Sequence, residues 1–331
     1  MDRTGLGYQT KALFDLLKPD KTLVVNSTPF NGNAQIPEWY HLPQDLSKPQ
    51  NRFVAYTLGM NDDLAFDWLV YGLDVIITCE VPYHDKLYEM ARKRGIKVIL
   101  QPNAELNPHF NQPTLDKPDY FFLPSTWYKD ETLQLGVPTV VCPPPIAMLP
   151  ANNPVFKDHG TLKVLHIAGK KALGDRNGTE IVKKLNDMPG VELTIRSQAE
   201  DNFPLQQDLY KGGFHVLLMP RRYGGLCMPM LEALSQGMPV LMPDIEPNKS
   251  VLPENWLLKT NFKSTLMTKR LIHSYATDMT AIRSTLERFK DMDQLQYDEE
   301  RSKARAVFAD HQKAVQRWEF YINRIVEGKE L

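Results

Sequence analysis

From the N-terminus to Cys142, hydrophobic positions gather into short apolar runs separated by amphipathic stretches. The runs predict strands at Thr22–Asn26, Phe53–Thr57, Asp74–Thr78, Lys97–Gln101, Tyr120–Leu123 and Thr139–Cys142. The stretches between them predict helices at Asp62–Tyr71, His84–Arg94 and Thr126–Leu135, the last two stopped by Gly95 and Gly136. Such alternation is what a parallel sheet with helices on its faces requires. It fails at Cys142-Pro-Pro-Pro-Ile-Ala-Met-Leu-Pro, because proline lacks a donor and fixes φ, so a domain boundary is expected there. A second series follows, with strands at Lys163–Ala168, Glu192–Arg196, His215–Met219 and Pro239–Met242 and helices at Thr179–Asp187 and Pro229–Gln236. From Asn261 onward the strand signal fades and the chain reads as helices. Val307, Phe308, Val315, Trp318, Ile322 and Ile325 recur at three- and four-residue steps, predicting one buried stripe on a long terminal helix. The expected organisation is a domain over 1–145, a proline-rich hinge over 146–160, a second domain over 161–300 and a terminal helix over 301–331 that crosses back to the first domain.

Composition adds the size of the cores. At 331 residues, 42% hydrophobic and 24% charged, the chain is long enough for two of them. Lys+Arg 39 against Asp+Glu 40 gives a net charge of -1, which excludes a global basic field and leaves room only for a local basic groove. The cluster Lys86, Arg92, Lys93, Arg94 and Lys97 reads as a solvated helix face. Three distant cysteines suit neither a disulfide framework nor a zinc site. No apolar run approaches the roughly 20 residues of a membrane span, and the first residues lack a signal-peptide pattern, so a soluble, cytoplasmic protein is expected. The histidines show no metal-ligand spacing, and neither a GxxxxGK[ST] loop nor a GxSxG elbow is present.

The densest chemistry lies between Met219 and Asp244. A strand end runs through Arg221, Arg222, Tyr223, Gly224, Gly225 and Leu226 into a helix carrying Glu232, then through Gly237 into the next strand. Paired glycines admit backbone close to a ligand, and a helix N-terminus offers donors to a phosphate. The plain alternative is a βαβ turn with one solvated Glu. Upstream, Leu165 to Glu180 carries Gly169, Lys170, Lys171, Arg176, Asn177 and Gly178 at a strand end and helix entry. This is either an anion-binding loop or an ordinary basic one.

Taken whole, these segments resemble the retaining, family-4-like glycosyltransferases of the GT-B fold. Their Glu-x7-Glu block is half present, as Glu232-Ala233, Gly237 and Pro239-Val240. Eight residues before Glu232 stands Gly224, where the family usually has a Glu that contacts the sugar. The resemblance implies an α/β fold of two Rossmann-like, doubly wound domains facing across a cleft, with a helical tail. It implies transfer of a sugar from a nucleoside-diphosphate donor, UDP-sugar favoured over GDP-sugar, to a hydroxyl acceptor, with retained configuration and no metal or other cofactor. Lys170 and Arg176 would serve the departing diphosphate, with Glu80 as a further catalytic candidate from the first domain. Gly169, Lys171, Asn177, Gly178, Gln198, Arg222, Tyr223, Gly224, Gly225, Leu226 and Glu232 would hold the donor, Glu232 at the ribose. On the acceptor side stand Gly5, Leu6 and Gly7, in a glycine loop before a helix, and Asn103; Glu80 and Asn103 equally suit capping of their own turns. The acceptor is open among a small molecule, a glycan, a protein side chain and a hydroxylated nucleobase, and the protein is expected as a monomer or homodimer. An epimerase or sugar-phosphate synthase of the same fold, or a non-catalytic nucleotide binder, are the rival readings.

Overall fold

The computed structural model describes residues 5–25, 51–54, 63–103, 107, 109, 112–146, 148–151, 160–169, 174–197, 201, 203, 206–267 and 271–331. The chain divides into two compact units, one of residues 1–145 with 313–331 and one of residues 146–312.

In the first unit, a four-stranded parallel sheet runs in the order β3 (Val75–Cys79), β4 (Lys97–Gln101), β5 (Tyr120–Leu123), β6 (Thr139–Val141). A separate parallel pair joins β1 (Thr22–Val25) to β2 (Asn51–Val54). Helices α1 (Gly5–Leu17), α2 (Asp63–Leu69), α3 (Leu87–Arg92) and α4 (Lys129–Gln134) complete it. Central β4 reads Lys-Val-Ile-Leu-Gln and is buried from Val98 to Gln101, the continuous apolar run of a strand covered on both faces. The strand expected at Phe53–Thr57 begins two residues earlier, at Asn51, and 55–57 lie outside the described residues.

The second unit has a five-stranded parallel sheet in the order β11 (Leu257–Leu258), β10 (Val240–Pro243), β9 (Val216–Leu218), β7 (Leu162–Ala168), β8 (Val191–Ser197). The chain places β8 on one side of β7 and then crosses to lay β9, β10 and β11 on the other. This reversal makes a switch point at the carboxyl ends of β7 and β9, where the diverging loops leave a crevice. Helices α5 (Thr179–Lys183), α6 (Met228–Ser235), α7 (Asn248–Val251) and α8 (Met279–Asp291) belong to this unit. Its core is continuous, with Val164, Leu165, Leu217, Leu218, Leu231, Val240, Leu241 and Trp256 fully buried.

Two expectations are overturned. The segment from Asn261 is not helical at first, because β12 (Thr260–Met267) and β13 (Leu271–Thr277) form an antiparallel hairpin. The terminal stripe does not lie on one helix: α9 (Gln294–Val315) and α10 (Arg317–Val326) meet at Gln316. The stripe divides accordingly, Val307 and Phe308 packing into the second unit's core and Val315, Trp318, Ile322 and Ile325 into the first's. Among the described residues, no helix is long and apolar enough to cross a membrane.

Candidate functional site at the switch point of the second unit

The switch point is built first by a histidine. His166, near the end of β7 and fully buried, donates from Nδ1 to the Leu218 carbonyl of β9 at 2.8 Å. Its Nε2 therefore keeps a lone pair and accepts from Thr179 Oγ1, at the start of α5, at 2.9 Å. Burial holds this imidazole neutral by pushing its pKa down to about 4. One ring thus ties two strand ends to the helix entry. The entry is shaped further by Asp175, whose carboxylate accepts from the Thr179 and Glu180 N–H groups at 2.6 and 3.2 Å, and by Asn177, which donates to the Ile167 carbonyl at 3.0 Å and packs its amide on Gly169. Gly178 has φ of 76° and lies against the Pro220 carbonyl, so close that a Cβ there would collide with backbone.

Cations converge on this frame. The Arg222 N–H donates to the Arg176 carbonyl at 2.9 Å, joining the loop after β9 to the α5 entry. The Arg176 guanidinium lies 5.3 Å from the centre of the Tyr223 ring. Gly224, at φ of 124°, sits beneath two guanidinium groups: a Cβ at this position would overlap Nη2 of both Arg176 and Arg221. Arg221 is 8% exposed and donates from Nη1 to the Gly225 carbonyl at 3.2 Å, while its Nε and that of Arg222 are buried with no hydrogen-bond acceptor among the described residues. Among the described residues, neither Arg221 nor Arg222 forms an ion pair with a carboxylate. Guanidinium groups that converge in this way raise the local potential and favour an anion.

Glu232, on α6, is 4% exposed. Its carboxylate accepts from Gln206 at 3.0 Å and from the Tyr210 hydroxyl, both on a 3₁₀ turn over Gln206–Tyr210. Burial raises its pKa, and the two hydrogen bonds oppose that rise. Among the described residues it makes no hydrogen bond to Arg176, Arg221 or Arg222.

The first unit gathers a second polar set at the carboxyl ends of β3 and β4. Glu80 adopts a left-handed φ of 73°, its N–H donates to the Gln101 carbonyl at 2.8 Å, and its carboxylate accepts from Asn103 at 3.1 Å. Fully buried Gln101 accepts from Gln9 of α1 at 2.6 Å and donates to the Cys142 carbonyl at 3.1 Å. Cys79 bonds to Thr10 and is pushed up to about 12, chiefly by burial, so it is an inert thiol.

The sequence matches no protein-family profile, and no curated protein is similar to it. Solved structures are similar in fold. HepE of Anabaena, in complex with UDP-glucose, is 12% identical with a TM-score of 0.61 over 97% of this chain and 96% of that one. The lipopolysaccharide outer core galactosyltransferase WaaB, in its apo form, is 14% identical with a TM-score of 0.54 over 95% and 96%. The pneumococcal O-GlcNAc transferase GtfA, in complex with UDP and GlcNAc, is 13% identical with a TM-score of 0.54 over 79% of this chain; only 60% of GtfA's length is spanned. The chain has the GT-B fold.

Within this GT-B fold, the residues singled out in the sequence fall into groups. Gly169, Arg176, Asn177, Gly178, Arg222, Tyr223 and Gly224 come together at the switch point, and Gly225 joins through its carbonyl. Glu80 and Asn103 meet in the first unit. Gly5, Leu6 and Gly7 form the first turn of α1 and not a loop ahead of it, since the helix begins at Gly5. Lys170, Lys171 and Gln198 lie outside the described residues. Arg196, beside Gln198, is used structurally: it donates to the Asp208 and Leu209 carbonyls at 3.0 and 2.8 Å and lies against Phe203 and Phe214. Sequence reasoning missed His166, Asp175 and Gln101. For His166 and Gln101 the only sequence signal is a polar residue within a strand, which many strands share, and for Asp175 it is an acidic residue shortly before a helix start. Among the described residues, no cluster of three metal-ligating side chains occurs.

Proposed function

We propose that the second unit binds a nucleoside-diphosphate sugar and that the protein is a glycosyltransferase moving that sugar to a hydroxyl acceptor taken by the first unit. The observation that carries this reading is the convergence of Arg176 and Arg221 over Gly224, at a switch point whose frame is pinned by His166. A diphosphate leaving group develops negative charge as the glycosidic bond breaks, and fixed cations stabilise that charge without reorganising. Arg176, Arg221 and Arg222 supply them, which makes the proposed reaction independent of a divalent metal. Gly224 leaves the guanidinium groups room to reach the phosphates. Glu232 is the proposed ribose contact, its carboxylate oriented by Gln206 and Tyr210. Retention of anomeric configuration follows the sequence resemblance. In the first unit, Glu80 held by Asn103 is the proposed contact of the acceptor hydroxyl.

The test is a thermal-shift titration against UDP, GDP, ADP and CMP and their sugars, since a ligand of the folded state raises apparent stability by RT ln(1 + [L]/Kd). A shift selective for one diphosphate series, at least tenfold weaker in Arg221→Ala, is the expected result, and UDP is the expected base. No shift from any of them in folded protein would defeat the reading.

A further inference from the structure

Two like charges are brought together at Gly224. The Nη2 atoms of Arg176 and Arg221 both lie within 2.5 Å of the place a Gly224 Cβ would take, so they are at most about 5 Å apart, a separation at which like charges repel. Arg221 is held against this repulsion by its own loop, through burial and its bond to the Gly225 carbonyl. Arg176 is half-buried and reaches the same point from the α5 entry. Its side chain is long, and its rotamers must be ordered before it can serve an anion.

Tyr223 is placed to order them. The Arg176 guanidinium carbon lies 5.3 Å from the centre of the Tyr223 ring, within the range at which an aromatic face attracts a cation. The Arg176 Nε also donates, at a long 3.5 Å, to the Tyr223 carbonyl. The ring stands on a fixed segment. The Arg221 N–H donates to the Met219 carbonyl at 2.7 Å, the Arg222 N–H to the Arg176 carbonyl at 2.9 Å, and the Arg222 carbonyl accepts from the Tyr275 N–H at 2.9 Å. Tyr275 belongs to β13, in a hairpin outside both larger sheets, so three separate parts of the second unit fix the residues just before Tyr223. Among the described residues the Tyr223 hydroxyl has no hydrogen-bond partner, and Tyr223 meets Arg176 through its ring and its backbone.

We infer that Tyr223 is a positioning residue, whose ring holds the Arg176 guanidinium beside that of Arg221 so that an incoming diphosphate finds both cations already aimed. The negative face of the ring attracts the cation that Arg221 repels. Ordering Arg176 in advance also spares the ligand the rotamer entropy of that side chain. Tyr223 touches no reacting atom in this role and acts through Arg176. The role rests on the reading of the two guanidinium groups as the diphosphate site.

Isothermal titration calorimetry of the full chain with inorganic pyrophosphate, and separately with UDP, tests this role. In Tyr223→Leu the pyrophosphate affinity is expected to fall about fivefold. Tyr223→Phe keeps the ring and is expected to recover most of that loss. In an Arg176→Ala background Tyr223→Leu should cost nothing further, because the interaction it removes is already gone. Equal affinities in the wild type and Tyr223→Leu would overturn the inference, as would additive losses in the double variant. A loss as large in Tyr223→Phe as in Tyr223→Leu would overturn it too, by making the hydroxyl a direct contact of the ligand. Melting temperatures without ligand check that each variant is folded. A wild type that binds pyrophosphate and no nucleotide would defeat the nucleotide-sugar reading alone, and one that binds neither would end both.

Discussion

Single residues at this site are held by neighbours that their own sequence surroundings do not name. Glu232 is an example: four residues from the helix start, it looks like a solvated carboxylate, yet it is buried against Gln206 and Tyr210. Glu232→Ala would remove the acceptor that this hydroxyl and this amide share, and the variant should lose about 1–3 kcal/mol of stability, read by urea denaturation. A loss near zero would show that water replaces the carboxylate. Gly224 was legible as a glycine in a ligand-facing turn. What it accommodates was not, because Arg176 and Arg221 approach it from segments 48 and 3 residues away. Gly224→Ala adds a methyl group where the two guanidinium groups lie, at a φ that L-residues avoid. Its UDP shift should shrink at least as much as that of Arg221→Ala.

At the scale of elements, strands β4 and β5 fall where the apolar runs place them, since a strand buried on both faces writes itself as an uninterrupted run. The β12–β13 hairpin was hidden. Its strands bury one face only, interleave Asn, Lys, Ser and Thr, and lose the two-residue period at the Lys263 bulge. The junction of β7, β9 and α5 was equally silent, because it rests on a histidine pairing with residues 52 and 13 positions away. That junction makes a pH prediction. The folded pKa of His166 is about 4 and the ordinary value is 6.5, so between these the unfolded chain binds the proton first. Its contribution is complete above about pH 6.5 and is lost as pH falls toward 4, by about 3 kcal/mol in all. Melting temperatures from pH 7 to pH 4.5 should fall less steeply in His166→Gln than in the wild type. Parallel curves would remove His166 as the titrating group.

For the whole molecule, the end of the chain belongs to the beginning. Residues 313–331 complete the unit of residues 1–145, and Trp318 is fully buried there. Its ring lies 4.9 Å from that of Phe122, and its Nε1 donates to the Pro143 carbonyl at 2.8 Å. Trp318→Ala should cost about 3–5 kcal/mol in chemical denaturation, with the first unit losing its fold first. A small loss would mean that the helix is an accessory to a core that stands without it. The apolar period runs on across Gln316, which is why one long helix was expected. Periodicity records which side of a helix is buried and is blind to which core buries it.

The sequence alone determined the alternation of strands and helices, the glycine turns, the proline break and the resemblance to GT-B enzymes, since these are local patterns of side-chain size, polarity and backbone freedom. Tertiary structure decided the strand order of the second unit, and with it the site. Parallel neighbours are joined by crossovers, so Arg176 after β7 and Arg221 after β9 meet only once β8 has gone to one side and β9 to the other. It also decided which carboxylates pair with which cations, because charge partners are chosen by proximity in the folded chain.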